Sequence, residues 1–226
     1  MARKPFSDLI GIELSPSSHA EKLISGLGGF IAIFMIILIS YTILGEDAYL
    51  IVASMGAATV LLFAVPHGPL SQPWPLFGGN LLSAIIGVIC AKFVPDAFIA
   101  AGLAVGIAIA VMYYLKCIHP PGGATALSAV VGGASVEQLG YMYVVTPVLL
   151  NVLVIFTVAL IFNYLFKWRR YPASLTTPAT APATTSFSHE GIAHALQQID
   201  SFIDVSEDDL NRIYQLAGEY DRKRPE

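Results

Sequence analysis

The 226 residues are 55% hydrophobic and only 12% charged, about half the charge of a soluble domain. Twelve Lys and Arg stand against sixteen Asp and Glu, for a net charge of -4, and between Leu23 and Phe166 the only charges are Glu46, Asp47, Lys92, Asp96, Lys116 and Glu137. A long apolar block bracketed by polar ends excludes a soluble enzyme, a nucleic-acid binder and a disulfide-stapled secreted domain; the chain reads as an all-α membrane protein.

In chain order, residues 1–22 form a polar cytoplasmic segment with Arg3, Lys4, Glu13, His19 and Lys22. Its charges ahead of the first apolar run argue against a cleavable signal, and its acids against a transit peptide, so the first span is expected to serve as its own targeting signal. Leu23–Leu44 is an almost unbroken apolar run of ~33 Å, matched to a hydrocarbon core of ~30 Å. Tyr49–Val65, Leu76–Val94, Ala97–Leu115 and Tyr141–Phe166 read as further spans, the first of these barely long enough. Gly122–Gly133 covers only ~18 Å, about six membrane segments in all. Cys90 and Cys117 have no CxxC spacing and read as small packing residues.

Arg3, Lys4 and Lys22 before the first span, with Lys167, Arg169 and Arg170 after the last, place both termini in the cytoplasm of a cell inner membrane. The number of crossings is then even, met equally by six full spans or by four spans and two re-entrant segments. Gly56-Ala57-Ala58-Thr59-Val60-Leu61 aligns on Gly122-Gly123-Ala124-Thr125-Ala126-Leu127, which suggests two internally repeated halves, inverted if each has three spans and parallel if each has two and a re-entrant loop. Short, Gly- or Pro-broken segments at matching places in two halves point to a transporter's binding site.

Cys117-Ile118-His119-Pro120-Pro121-Gly122-Gly123 reads as a helix broken and restarted within the membrane. Two prolines bar a helix through them yet suit a helix start, and the glycines permit close approach. Irregular backbone at that depth must be buried in protein or line a cavity, and a restarted N-terminus carries partial positive charge that favours an anion.

The run His119-Pro120-Pro121-Gly122-Gly123-Ala124-Thr125-Ala126-Leu127 resembles the signature of the HPP integral membrane family, and Phe63 to Trp74 with Gly78-Gly79-Asn80 and Ser83-Ala84 is similar to that family's other Pro-rich stretch. The likeness covers most of residues 20–168. Plant chloroplast and cyanobacterial members are associated with nitrite transport, so the resemblance implies a transporter or channel for a small inorganic anion, nitrite first. A His is common in that family where Asn80 stands here, a departure that bears on proton handling at this position.

The expected substrate-binding residues are His119, Gly122, Gly123 and Thr125, with Ser54, Gly56 and Thr59 from the repeat and Asn80 beside them. His119 could be a ligand or a proton-linked gate, or a neutral ring bonded to a freed carbonyl; Thr125 and Thr59 could face a guest or bond back to the preceding turn. Asn80 and Asn151 could line a path or hold helices together, and Lys92 and Lys116 could snorkel or draw anions to a vestibule. Gly28-Gly29, Gly87 and Gly102 to Gly106 read as helix-packing patches. No nucleophile elbow, zinc motif or carboxylate pair lies in the spans, so no enzyme, cofactor or metal is expected. The partners are the anion, the bilayer and further copies in a homo-oligomer, with no nucleic acid. Residues 169–186 read as a Pro, Thr and Ala-rich linker and 187–226 as a helical hairpin. A neutral or cationic solute is the alternative cargo, and a sensor or scaffold acting through the hairpin the alternative class.

Overall fold

In a computed structural model of the chain, the described residues are 18–45 and 52–175, with Leu210 and Tyr214 as isolated positions further on; the expected hairpin therefore lies almost wholly outside them. Regular structure among the described residues is helical, with no strand. Three long apolar helices are α1 (His19–Leu44), α3 (Pro73–Phe93) and α4 (Ala97–Tyr114). A fourth stretch, Val144–Tyr164, opens with a π-helical turn at Val144–Leu149 and continues as α7 (Leu150–Tyr164). All four are long and apolar enough to cross a bilayer, and the protein is a multi-pass membrane protein. Between them sit two short helices, α2 (Val52–Ala64) and α5 (Pro120–Val131), and a two-turn α6 (Gly133–Leu139).

Local chemistry moves several boundaries away from the hydropathy edges. Helix α1 starts at His19, four residues before the apolar run, because Ser18 Oγ caps it by accepting from the Glu21 amide at 3.1 Å. Prolines at the first turn start α3 at Pro73 and α5 at Pro120, where their fixed φ suits a helix and their missing N–H costs nothing. Asp96 caps α4 through the Ile99 amide at 2.9 Å, so Ala97 begins that helix as the pattern suggests. The last expected span is not continuous: Thr146 leaves helical geometry (φ -130°, ψ 104°) ahead of Pro147, as the clash before a proline dictates.

Polar contacts fix which ends meet. Arg169, just after α7, is ion-paired to Glu21 at the start of α1 and donates to the Phe63 carbonyl near the end of α2. At the far ends of these helices, Ser40 Oγ of α1 donates to Asn151 Oδ1 of α7 at 2.5 Å, and Lys92 at the end of α3 lies over the Tyr141 ring, 5.2 Å from its centroid. The first and last membrane helices therefore run antiparallel, α1 beginning where α7 ends. Helices α3 and α5 start at the same end and run side by side, Gly79 against Gly122 and Gly87 against Ala126 and Ala129.

Arg169 and Tyr171 do not behave as the start of a linker or as headgroup-facing flanks, for both are buried. Tyr171 Oη donates to the Ser71 carbonyl at 2.8 Å, and the Ala173 amide to Gln72 Oε1 at 3.0 Å. His67 Nε2 donates to the Arg170 carbonyl at 3.0 Å. Residues 167–175 therefore close over the 65–72 turn and extend the folded unit beyond the boundary that composition suggested. Of the glycine patches, Gly28 packs tightly against Phe63 and Phe162, and Gly87 against α5, whereas a Cβ at Gly102 or Gly106 would meet nothing.

Candidate functional site

The turn out of α4 sets up the HPP segment. The Cys117 amide bonds to the Met112 carbonyl at 2.9 Å and the Lys116 amide to the Tyr113 carbonyl at 3.2 Å, the paired bonds of a Schellman motif. The position that such a motif normally gives to glycine is held by Lys116 at φ 54°. Trp74 Nε1 donates to the Leu115 carbonyl at 3.0 Å, tying the start of α3 to the end of α4. Cys117 then lands against Gly78, and His119 against Gly79.

His119 is fully buried and extended (φ -144°, ψ 102°) as the residue before α5, the conformation a following proline imposes. Its Nδ1 lies 2.9 Å from the Leu70 carbonyl. A carbonyl only accepts, so Nδ1 carries the proton. Nε2 has no hydrogen-bond partner, and neither has Ser83 Oγ one helical turn along α3 from Gly79. The two groups flank one backbone contact: a Cβ at Gly79 would lie 2.4 Å from His119 Cβ, and one at Gly122 would lie 2.6 Å from the Gly79 carbonyl oxygen and 2.9 Å from Ser83 Oγ. Only glycine lets the backbones of α3 and α5 come this close.

From here a polar seam runs between α3 and α5. Thr125 Oγ1 donates to Asn80 Oδ1 at 2.9 Å and also reaches the Pro121 carbonyl at 3.2 Å. Asn80 Nδ2 bonds back to the Leu76 carbonyl at 2.8 Å, and Tyr143 Oη donates to the Thr125 carbonyl at 3.0 Å. His119, Asn80, Ser83, Thr125 and Tyr143 are all buried, inside a bundle whose neighbouring core is Ala, Leu and Val. Outside His119, a depression of about 240 Å³ is lined by Pro69, Leu70, Pro75, Tyr113, Lys116 and Ile118. His119 does not line it; Leu70, whose carbonyl holds Nδ1, does, and Lys116 brings the charge.

The expected residues divide. His119, Gly122, Thr125 and Asn80 come together at the α3–α5 contact. Gly123 is next to them but faces open space, as does Gly56. Ser54 and Thr59 are buried on α2, where Thr59 Oγ1 bonds back to the Met55 carbonyl at 2.8 Å. No unspent row of amides crowns α5 either: Pro120 and Pro121 have none, and the Gly122 amide bonds to the His119 carbonyl at 2.8 Å. Ser83 and Tyr143 join the seam without being among the residues expected there. Ser83 lay inside the Pro-rich resemblance, three residues from Asn80 and so on the same helical face, which was signal enough. Asn151 Oδ1 accepts from Ser40 while its buried Nδ2 is left without a partner, and Gln72 Nε2 donates to the Pro66 and Gly68 carbonyls. Among the described residues no cluster of His, Cys, Asp or Glu could hold a metal.

Together these features define a polytopic helical membrane protein with a broken helix seated on a polar seam. Residues 15–172 match the model of the HPP transmembrane region, and the chain belongs to that family. Two Dictyostelium discoideum proteins named only as transmembrane proteins are each 37% identical over 153 residues, covering 66% and 65% of this chain. The matched region spans about half of each relative, 49% and 53%. No solved structure matches.

Proposed function

We propose that the protein is a membrane transporter or channel for a small inorganic anion, nitrite first among them, with its site at the α3–α5 contact. One observation carries the reading. Two fully buried polar groups, His119 Nε2 and Ser83 Oγ, are left unpartnered where the helix is broken, although burying a polar group without a hydrogen bond costs ~1–3 kcal/mol. A guest of two or three polar atoms would satisfy both. Lys116 on the depression outside suits an anion's approach, and the absence of a fixed cation among the seam residues keeps binding weak enough for release. The ligands are side chains rather than the helix-end amides, and the second site on α2 has no comparable support.

In the same proposal α2 and the α5–α6 pair complete six crossings, with both ends on the cytoplasmic side of the inner membrane. Neighbour relations favour two inverted halves, since α1, α2 and α7 pack on one another much as α4, α5 and α3 do, with α2 against α5 between them. The homo-oligomer belongs to this reading too, its contact being the outward side of α4 where Gly102 and Gly106 stand open. The test is anion flux into liposomes holding purified protein, comparing nitrite, nitrate, formate and chloride. Selective flux that His119→Ala and Ser83→Ala each lower by about tenfold or more is expected; equal leakage of all four, indifferent to both substitutions, refutes it.

A further inference from the structure

Resting on that site, we infer that His119 carries a proton together with the anion, so that transport is an electroneutral anion–proton symport rather than passage of a bare ion. The Leu70 carbonyl lies 2.9 Å from Nδ1. Because that oxygen can only accept, Nδ1 is the donor in every protonation state, and Nε2 of the neutral ring presents a lone pair. An anion arriving alone would meet that lone pair and be repelled. Once Nε2 is protonated the same atom becomes a charged donor, and the anion becomes the counterion that a fully buried imidazolium requires. Proton and anion each raise the other's affinity by the same factor.

The surroundings offer no substitute for the anion. The turn after α4 contributes Cys117, with Tyr113 and Lys116 on the depression outside; the 65–72 turn contributes Leu70, with His67 engaged on the Arg170 carbonyl and Tyr171 on that of Ser71. Helix α3 contributes Gly78, Gly79, Asn80 and Ser83, and α5 contributes Pro121, Gly122 and Thr125. None is a carboxylate. The described acids lie elsewhere: Glu21 on Arg169, Asp96 capping α4 and Glu137 in α6. Among the described residues no acid is hydrogen-bonded or ion-paired to His119, so a protonated ring there has no protein counterion. Ser83 Oγ, free of the back-bond that Thr59 makes, is left to donate its hydrogen to the guest.

The step balances simply. An N–H bond forms at Nε2 as an O–H bond breaks in hydronium or in the conjugate acid of the anion; water or the anion is left, and the anion stays paired to the ring. Release on the other side reverses both. Nothing is oxidised or reduced, and no net charge crosses.

The test uses liposomes holding the full chain, with nitrite and nitrate as probes and protein-free vesicles as the baseline for passive leak of nitrous acid. Potassium and valinomycin set the membrane potential independently of the pH gradient. Symport predicts that accumulation rises about tenfold per unit of pH difference, acid outside, a tenfold ratio being the equivalent of one pH unit, and is unmoved by the potential. His119→Asn places an amide nitrogen where Nδ1 stands and so retains a donor for the Leu70 carbonyl, but cannot ferry a proton, and should abolish the pH-driven accumulation of nitrate. Should anion flux follow the potential and ignore the pH gradient, or should His119→Asn keep the gradient-driven accumulation, the symport is overturned while the transporter reading survives. Absence of protein-dependent flux for either anion overturns both.

Discussion

Arg169 is the costliest single side chain in the bundle to bury, and it is 1% exposed. Its guanidinium is shared among Glu21, Ser25 Oγ at 3.1 Å, Asn163 Oδ1 at 3.2 Å and the Phe63 carbonyl at 2.5 Å, a planar fork that a lysine cannot reproduce. Glu21→Gln should therefore destabilise by about 3 kcal/mol, the lower end of the range for breaking a buried pair, since the Glu21 side chain keeps 28% exposure. Thermal unfolding in detergent reads this, and Arg169→Lys should fall at least as far; a Glu21→Gln protein as stable as the parent would show the pair to be incidental. Lys116 makes the opposite case. It occupies left-handed backbone at φ 54°, which costs a residue with a Cβ about 1 kcal/mol, so Lys116→Gly should raise stability by that amount. If Lys116 also gathers anions at the depression, Lys116→Gly and Lys116→Asn should both weaken apparent anion affinity in flux assays, because both lose the charge and only one is the preferred residue for the turn.

At the scale of elements, the α3–α5 contact is where the fold and the site are the same object. The backbones touch through Gly79, Gly87 and Gly122, and a methyl at Gly79 would sit 2.4 Å from His119 Cβ. Gly79→Ala should cost ~1–3 kcal/mol by overpacking and, by pushing His119 off the Leu70 carbonyl, should lower flux more than Gly102→Ala, which meets nothing; equal effects of the two would separate packing from function. Much of this contact could be read beforehand. His119-Pro120-Pro121 announced a break, the prolines announced a restart, and Asn80 and Thr125 announced polar groups that had to face protein. Three things could not be read. The pairing of Asn80 with Thr125 joins residues 45 apart in sequence, and no local pattern encodes which turn of α3 meets which turn of α5. The likeness of residues 56–61 to 122–127 does not by itself say which polar atoms are left over: Thr59 bonds back to the Met55 carbonyl, whereas Thr125 reaches Asn80 across the contact. The kink at Thr146 and Pro147 was visible as a proline, yet hydropathy averaged over the segment concealed it.

Across the whole molecule, the segment after α7 decides where the folded unit stops. Apolar periodicity ends near Phe166, and the Pro, Thr and Ala-rich composition beyond it reads as linker; the three contacts that extend the unit are single polar side chains, invisible to either signal. Arg169 links α1, α2 and α7, and Tyr171, fully buried with its phenol pushed above its ordinary pKa by desolvation, fastens the last turn to Ser71, next to the Leu70 carbonyl that orients His119. Cutting the chain at two places separates these roles. Ending it after Leu175 leaves α1 to α7 and the α3–α5 seam in place, and flux and melting temperature should match the full chain. Ending it after Trp168 strips the guanidinium from Glu21 and Asn163 and the phenol from Ser71, and should lower the melting temperature by several degrees, about 2–4 °C for each kcal/mol lost at this size, with flux falling alongside as His119 loses its fixed carbonyl. A scaffold acting through the hairpin predicts otherwise, with its activity already gone when the chain ends after Leu175. Flux lost on ending the chain after Leu175, with the melting temperature unchanged, would therefore transfer the function from the α3–α5 seam to the tail.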